Sequence, residues 1–474
     1  MSETVIPRLS RGLRDLLPDQ MLARQQMVDT IRGVYELYGF VPLSTPAIEY
    51  LDVLSGSAGQ EAQQSIFRVT NPKEDEELGL RFDLTVPLAR VISQYGELPR
   101  PFRRYQVSPV WRADKPDKGR YREFTQFDLD SVGVESEIAD TEIIAGMCDT
   151  LAALQLPSYL VRFSSRAVLN LLLAFAGVTA EQGVDVFRVL DKLDKVGLDK
   201  VKRELMDGYK DESGDMIRGV GLSRDQVDRV ERFLSIKSES RSTVIAQLRE
   251  LFGSLENAAA QIDIIERISN HLYALGYGDD QVSLDLSIAR GLAYYDGPVF
   301  EAILPDAPQF GSVFGGGRYD GLVKRFTGQP LPAVGASIGV DRLLAALTHQ
   351  GRIGKKRATA RVLVTMMDAS LHADYLAMTW ELRRAGIPTE LYLGSGNMKK
   401  QLRYADQYDV PLAILYGSQE KEQGTVAIKD LVAGRERMQA IADRTEYLGQ
   451  RAAQVTVPRT ELVSSIRSML AGLE

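Results

Sequence analysis

Hydrophobic positions recur every three to four residues across 20–39. Val28, Ile31, Tyr35 and Tyr38 fall on one stripe, so the spacing predicts a helix that Gly39 ends. An extended segment, FVPLSTPAIEY, follows. Over 102–133 the period changes to two: RRYQVSPVWR and FTQFDLDSVG read as two strands joined by ADKPDKGRYR, a connection too polar for a core. From 184 to 275 the chain turns charged and helical, as in DKLDKVGLDKVKREL and VDRVERFLSIKSESRSTVIAQLREL, which predicts an inserted helical domain. Strand-like, glycine-rich sequence resumes in VSLDLSIARGLAYYDGPVFEAIL and FGSVFGGGRYDGLV, before a helix in ASIGVDRLLAAL. Beyond the basic linker GRIGKKRATAR, strand and helix alternate: RVLVTM, a helix over 370–385, PTELYL, NMKKQLRYADQY, PLAILYG and GTVAIKD. The expected organisation is one domain in two parts, 1–183 and 276–350, interrupted by a helical insertion, 184–275, and followed by an α/β domain, 358–474.

Composition narrows the classes. With 474 residues, 44% of them hydrophobic, the chain can bury a large core divided among two or three domains. It has no run of about 18 apolar residues, and MSETVIPRLSRG lacks the pattern of a secretion signal, so the expectation is a cytoplasmic protein with no membrane partner. Cys148 is the only cysteine, which excludes an intrachain disulfide and a cysteine-rich zinc site and predicts a buried structural thiol. His271, His349 and His372 lie scattered in helical stretches, which disfavours histidine-based acid–base or metal chemistry. The net charge of -7 argues against indiscriminate coating of nucleic acid and leaves room for a local basic face.

Chemistry concentrates in four places. In FTQFDLD the period of two puts Phe124, Gln126, Asp128 and Asp130 on one face and Thr125, Phe127 and Leu129 on the other. Arg112 ends the preceding strand, so a hairpin groups a guanidinium, a basic loop (Lys115, Lys118, Arg120, Arg122) and carboxylates, which suits a phosphate-bearing ligand. An amphipathic hairpin with a merely solvated polar face accounts for the same pattern. In LRFDLTVPLAR, Asp83 and Thr85 stand two residues apart, a spacing suited to an α-ammonium group. RGLAYYDG sets Arg290 and Tyr295 beside glycines, and GGGRYDG permits close backbone approach around Tyr319. Neither is a P-loop or a GxGxxG fingerprint. In GASIGVDRLLAAL, Arg342 opposes the helix dipole from the first turns, a position that invites an anionic partner.

Taken in order, these segments resemble the three signature motifs of class II aminoacyl-tRNA synthetases. RGLAYYDG and GGGRYDGL are similar to the two motifs peculiar to histidyl-tRNA synthetases. The likeness runs from about Arg11 to about Lys429: the helix–strand block ending at Pro46 looks like motif 1, the dimer-interface element, VWRADKPDKGRYREFTQFDLD like motif 2 and GASIGVDRLL like motif 3. The resemblance implies an α/β and α+β multidomain fold: a mixed, mostly antiparallel sheet with flanking helices, a helical insertion and a C-terminal α/β anticodon-binding domain. It implies activation of L-histidine with ATP, transfer to tRNA(His), magnesium carried with the ATP, and a homodimer.

By the same resemblance, Arg112 and Arg290 would be catalytic, with Arg112, Arg120, Phe124 and Arg342 holding ATP. Asp83, Thr85 and Gln126 would fix the α-ammonium group, Asp130 and Tyr295 would read the imidazole nitrogens, and Tyr319 would close the pocket. Asn397, Lys399, Lys400, Gln401 and Arg403, at the start of a helix, and Lys429, after a strand, are similar to the anticodon-domain signature and would meet tRNA; a solvated helix face is the plainer reading. The chain departs from the family pattern at Ala293, where many members carry an acidic residue, which affects the polar surroundings of Arg290. Two alternatives compete: a non-catalytic synthetase-like subunit regulating ATP phosphoribosyltransferase, which would lack the anticodon domain, and a class II synthetase for another amino acid.

Overall fold

The alternating segment forms the hairpin inside an eight-stranded sheet. In this computed structural model the described residues are 5–56, 64–117, 119–210, 214–288, 295–353, 358–433 and 454–473. The sheet comprises β1 (Val41–Pro42), β2 (Phe102–Trp111), β3 (Glu123–Val132), β4 (Leu160–Ser165), β5 (Val282–Leu284), β6 (Pro298–Ile303), β7 (Ser312–Arg318) and β8 (Ala333–Gly339). Their order in space is β1-β2-β3-β8-β7-β6-β4-β5. Only the two outermost pairings, β1 with β2 and β4 with β5, are parallel; the five inner ones are antiparallel. This is the mixed, mostly antiparallel sheet that the resemblance implies.

One face of the sheet is sealed by aromatic and aliphatic packing. Tyr35, on the helix Pro18–Leu37, meets Phe127 of β3 edge-on at 4.9 Å, and Tyr105 of β2 lies 5.8 Å from Phe127. Such offset ring pairs each add about 0.5–1.5 kcal/mol beyond the area they bury. The helix stops before Gly39, whose φ of +76° suits glycine, as the spacing predicts. Helix Ile138–Ala153 packs on the same layer and holds Cys148 fully buried. Burial pushes its thiol up to about 12, and the nearby Asp149 adds to the shift, so Cys148 has the character of a structural thiol.

The charged helical stretch leaves and returns at one edge. It runs between β4 and β5, which pair side by side, so the centre of the sheet is undisturbed. Ala180–Leu190 and Arg224–Leu234 both begin with reciprocal capping boxes, from Thr179 with Gln182 and Ser223 with Gln226. A small hairpin, Gly208–Lys210 with Met216–Arg218, interrupts the helices and was not legible in their charge pattern. Gly208 makes it possible: its φ is +84°, and a Cβ there would stand 2.0 Å from the Ile217 carbonyl oxygen.

The chain divides into two compact units, Met1–Arg14 with Gln26–Arg352, and Asp15–Gln25 with Ile353–Glu474. In the second, a five-stranded sheet runs in the order Thr389–Leu391, Val362–Val364, Leu412–Leu415, Thr425–Asp430, Gln454–Pro458. The first three strands are parallel and the last two are added antiparallel. Tyr375, Met378 and Leu382 of helix His372–Arg384 and Leu462 and Ile466 of helix Leu462–Ala471 bury against it. The sequence reading did not place the strand Gln454–Pro458 or the last helix: the strand is only five residues long and mostly exposed, so its short alternation QVTVP is a weak signal. Among the described residues no single helix is long and apolar enough to cross a membrane; the bent pair Arg166–Ala176 and Ala180–Leu190 passes only when combined.

Candidate active site

One face of the large sheet carries little side-chain bulk over its central strands. On β3, Gln126, Asp128 and Asp130 pair with Gly339, Ser337 and Gly335 of β8, and with Ser108, Gln106 and Arg104 of β2. Ser337 and Gly335 pair in turn with Gly315 and Gly317 of β7. Directly paired residues of antiparallel strands share a face. The central strands therefore present glycine and serine where others present bulk, and a cleft of about 530 Å³ opens above them. The hairpin's polar face is not solvated: Gln126, Asp128 and Asp130 are all buried.

Of the residues expected at the site, Asp83, Thr85, Arg112, Arg120, Phe124, Gln126, Tyr295 and Arg342 line this cleft. Arg112 follows β2, and its Nε donates to the Phe82 carbonyl at 2.9 Å while its guanidinium carbon stands 5.3 Å from the Phe124 ring centre. The cation is thereby oriented before any ligand arrives. Arg342, in the first turn of helix Val340–His349, donates to the Ser312 carbonyl at 2.7 Å. Gln126 donates from Nε2 to Ser337 Oγ at 2.8 Å. Tyr295 lies against Gly317, where a Cβ would come within 2.9 Å of its ring.

Asp83 combines a structural and a chemical position. Its Oδ1 accepts the Val86 N–H at 3.0 Å, capping helix Thr85–Gln94, while the residue also lines the cleft. Burial raises the pKa of its carboxyl, opposed by the backbone N–H bonds and by Arg112. A carboxylate has about four lone-pair positions, so capping leaves acceptor capacity for an ammonium group.

Asp130 and Tyr319 are not among the lining residues. Both are buried, 2% exposed each, with the Tyr319 hydroxyl donating to Asp130 Oδ1. Arg104, fully buried, stands 2.8 Å from Asp130 Oδ2 and 3.7 Å from Asp128 Oδ2. Burial raises the pKa of both carboxyls and the guanidinium pulls each back down. Arg104 was not singled out in the sequence, although the hairpin register places it directly across from Asp130. Arg290, with Ala293, and loop residue Lys118 lie outside the described residues.

The rim of the cleft is tied together by Asp341, also missed in the sequence. Its Oδ2 accepts the Thr125 N–H of β3 at 2.6 Å and its Oδ1 pairs with Arg14 at 2.7 Å. Arg14 in turn lies 3.7 Å over the Tyr121 ring of the motif 2-like loop. Asp341→Ala removes two buried, charge-assisted bonds and is expected to destabilise this unit by about 2–4 kcal/mol, whereas Asp341→Asn should lose less than half of that. Urea unfolding of both variants tests this; equal stability of alanine variant and parent would remove Asp341 from this role.

In the second unit, Asn397 caps helix Met398–Gln407 by accepting the Lys400 N–H at 3.2 Å. Lys399, Lys400 and Arg403 are exposed, and Lys429 is half-buried on its strand. Gln401 faces inward instead, bonding the backbone of Met366 through both ends of its amide.

Residues 12–343 match the family model described as histidyl-tRNA synthetase, and 359–469 match the anticodon-binding domain. The histidine–tRNA ligase of Cereibacter sphaeroides is 44% identical, with 97% of each chain covered, and that of Paracoccus denitrificans is similar to the same extent. The histidyl-tRNA synthetase structure from Nostoc sp. superposes with a TM-score of 0.82 at 29% identity, covering 98% of this chain and all of that one. A Bacillus halodurans structure titled as an ATP phosphoribosyltransferase regulatory subunit/histidyl-tRNA synthetase gives 0.70 at 21% identity, covering 85% of this chain and 97% of its own, a likeness of fold. With both domains matched over nearly the whole chain, and a cleft that gathers the arginines and acidic groups of its motifs, this protein belongs to the histidyl-tRNA synthetase family, a class II aminoacyl-tRNA ligase.

Proposed function

We propose that the cleft over the glycine floor joins L-histidine to ATP and then delivers the histidyl group to the 3′ end of tRNA(His). The observation that carries this is the convergence of Arg112 and Arg342 with Asp83, Thr85 and Gln126 around one cavity. Two cations suit the phosphates, and the acidic and amide groups suit an amino acid's ammonium end. The histidine carboxylate oxygen attacks the α-phosphorus in line; a C(O)–O–P bond forms as the bond to pyrophosphate breaks. The 3′-terminal ribose hydroxyl then attacks the acyl carbon, and AMP leaves with the electron pair. Little covalent work falls to the protein, so positioning and charge neutralisation supply the rate.

In this reading Arg112 holds the α-phosphate and Arg290 neutralises the carboxylate and the charge developing on phosphorus. Phe124 stacks on the adenine, Arg342 lies against the adenine and the phosphate tail, and Arg120 meets the γ-phosphate. Asp83, Thr85 and Gln126 bind the ammonium group, while Asp130 and Tyr295 read the ring nitrogens from the floor, with Tyr319 backing Asp130. Asp130 Oδ1 accepts the Tyr319 hydroxyl and Oδ2 is ion-paired with Arg104, which leaves the carboxylate lone pairs for an imidazole N–H. A ligand without that N–H leaves a buried carboxylate unmatched, at a cost of about 1–3 kcal/mol.

ATP enters with magnesium. The ion would be held by phosphate oxygens and a few carboxylates rather than by a dedicated protein cage. The domain plan follows the family: 1–183 and 276–350 catalytic, 184–275 inserted, 358–474 for the anticodon, with Asn397, Lys399, Lys400, Arg403 and Lys429 toward tRNA. The enzyme works in the cytoplasm as a homodimer. The match of 359–469 to an anticodon-binding domain favours tRNA charging over a regulatory role.

ATP–pyrophosphate exchange measured with each of the twenty amino acids should proceed with histidine alone, followed by transfer to tRNA(His). Exchange with a different amino acid, or none from folded protein, would overturn this reading.

A further inference from the structure

Among the described residues the most deeply buried cation near the cleft is Arg104, and the reaction as described does not use it. Its side chain is inaccessible to solvent. From one terminal nitrogen, Nη2, it reaches Asp130 Oδ2 at 2.8 Å and donates to the Leu84 carbonyl at 3.1 Å. Leu84 is the residue between Asp83 and Thr85. Asp130 stands on the third sheet strand, whereas 83–85 open the helix Thr85–Gln94. A single guanidinium therefore links the backbone of the ammonium-binding segment to the imidazole-reading carboxylate.

We infer that Arg104 is a positioning residue that sets the separation between the two ends of the histidine site, and so the length of amino-acid side chain it accepts. This rests on the assignment of Asp130 to the imidazole and of Asp83 and Thr85 to the ammonium group. Three features make the link rigid. Arg104 sits directly across from Asp130 in the β2–β3 register, so the pair is fixed by the sheet. Tyr319 holds the other Asp130 oxygen. Asp128, 3.7 Å from Nη2, keeps the guanidinium between two carboxylates. A ligand contacting both ends gains from each only if their spacing is held in advance, because misplacement by an ångström forfeits one of the two contacts.

Arg104→Lys keeps the charge on a side chain one bond shorter, so it cannot span both partners. In ATP–pyrophosphate exchange the KM for histidine should rise about tenfold, and the Kd of histidinol, which keeps both the ammonium group and the imidazole, should rise with it. The KM for ATP and kcat should stay within about twofold, since neither depends on that spacing. Arg104→Gln combined with Asp128→Asn preserves the buried charge balance and should behave alike if the lysine variant does not fold. A histidine KM within about twofold of the parent in either folded variant would overturn the inference, as would equal increases for histidine and ATP. Asp130→Asn separates the two levels. If it leaves the histidine KM unchanged, the imidazole assignment fails and the inference with it; if it raises KM while the Arg104 variants do not, only the inference fails.

Discussion

Arg112→Ala is expected to slow histidine-dependent ATP–pyrophosphate exchange on the order of 10³-fold, an effect typical of losing a preorganised charge at a reacting centre. The size follows from how the side chain is held. Its Nε is anchored on the Phe82 carbonyl and its plane lies near Phe124, so little ordering remains to be done when the α-phosphate takes on charge. Most of the loss should fall in kcat, because the contact strengthens as the phosphorus becomes more crowded with charge. Arg112→Lys retains a cation but not the Nε anchor, and should recover only part of the rate. Arg112 is half-exposed, so its removal should leave urea unfolding nearly unchanged. Exchange within about threefold of the parent would show that the α-phosphate is held by other groups.

What could be read from the sequence depended on whether a residue's role is set by its own strand or by a neighbour distant in the chain. Period-two alternation was enough to find the β2–β3 hairpin, and the polar identity of Gln126 and Asp130 marked its working face. The choice between a solvated and a buried polar face could not be made there, because it depends on strands 333–339 and 312–318 covering the hairpin's flank. Arg104 was within reach: with Gln106 and Ser108 it falls on the same face as Asp130, Asp128 and Gln126, directly across from them, but only once the hairpin register is fixed. Asp341 was harder, since its partners Arg14 and Thr125 come from far-separated segments. The same limit explains the burial of Asp130 and Tyr319: Asp130 is enclosed by Gly335 and Arg104, and Tyr319 bonds to it. In the second unit the apolar strands Val362–Val364 and Leu412–Leu415 were plain, whereas Gln454–Pro458 is mostly exposed and its alternation, QVTVP, spans only five residues.

The triple glycine and its partner strand explain the second large effect. Gly335→Ala is expected to raise the KM for histidine by about 100-fold while ATP still binds, and to destabilise the large unit by about 1–3 kcal/mol through overpacking. The backbone conformation is not the obstacle, since Gly335 does not occupy the left-handed region. The obstacle is space: a Cβ there would stand 1.9 Å from Asp130 Oδ1 and 2.7 Å from the Leu129 carbonyl oxygen. The carboxylate cannot simply swing aside, because Arg104 holds one oxygen and Tyr319 the other. The Leu129 carbonyl belongs to the backbone of β3, so relief also requires β3 and β8 to part. Both adjustments displace Asp130 relative to the cleft, whereas Arg112 and Arg342 are anchored elsewhere, on Phe82 and Ser312. Isothermal titration of the variant with histidine and, separately, with ATP measures the split. Loss of both affinities together would mean that the floor is one rigid plate under the whole cleft, and retention of both would remove Asp130 from histidine recognition.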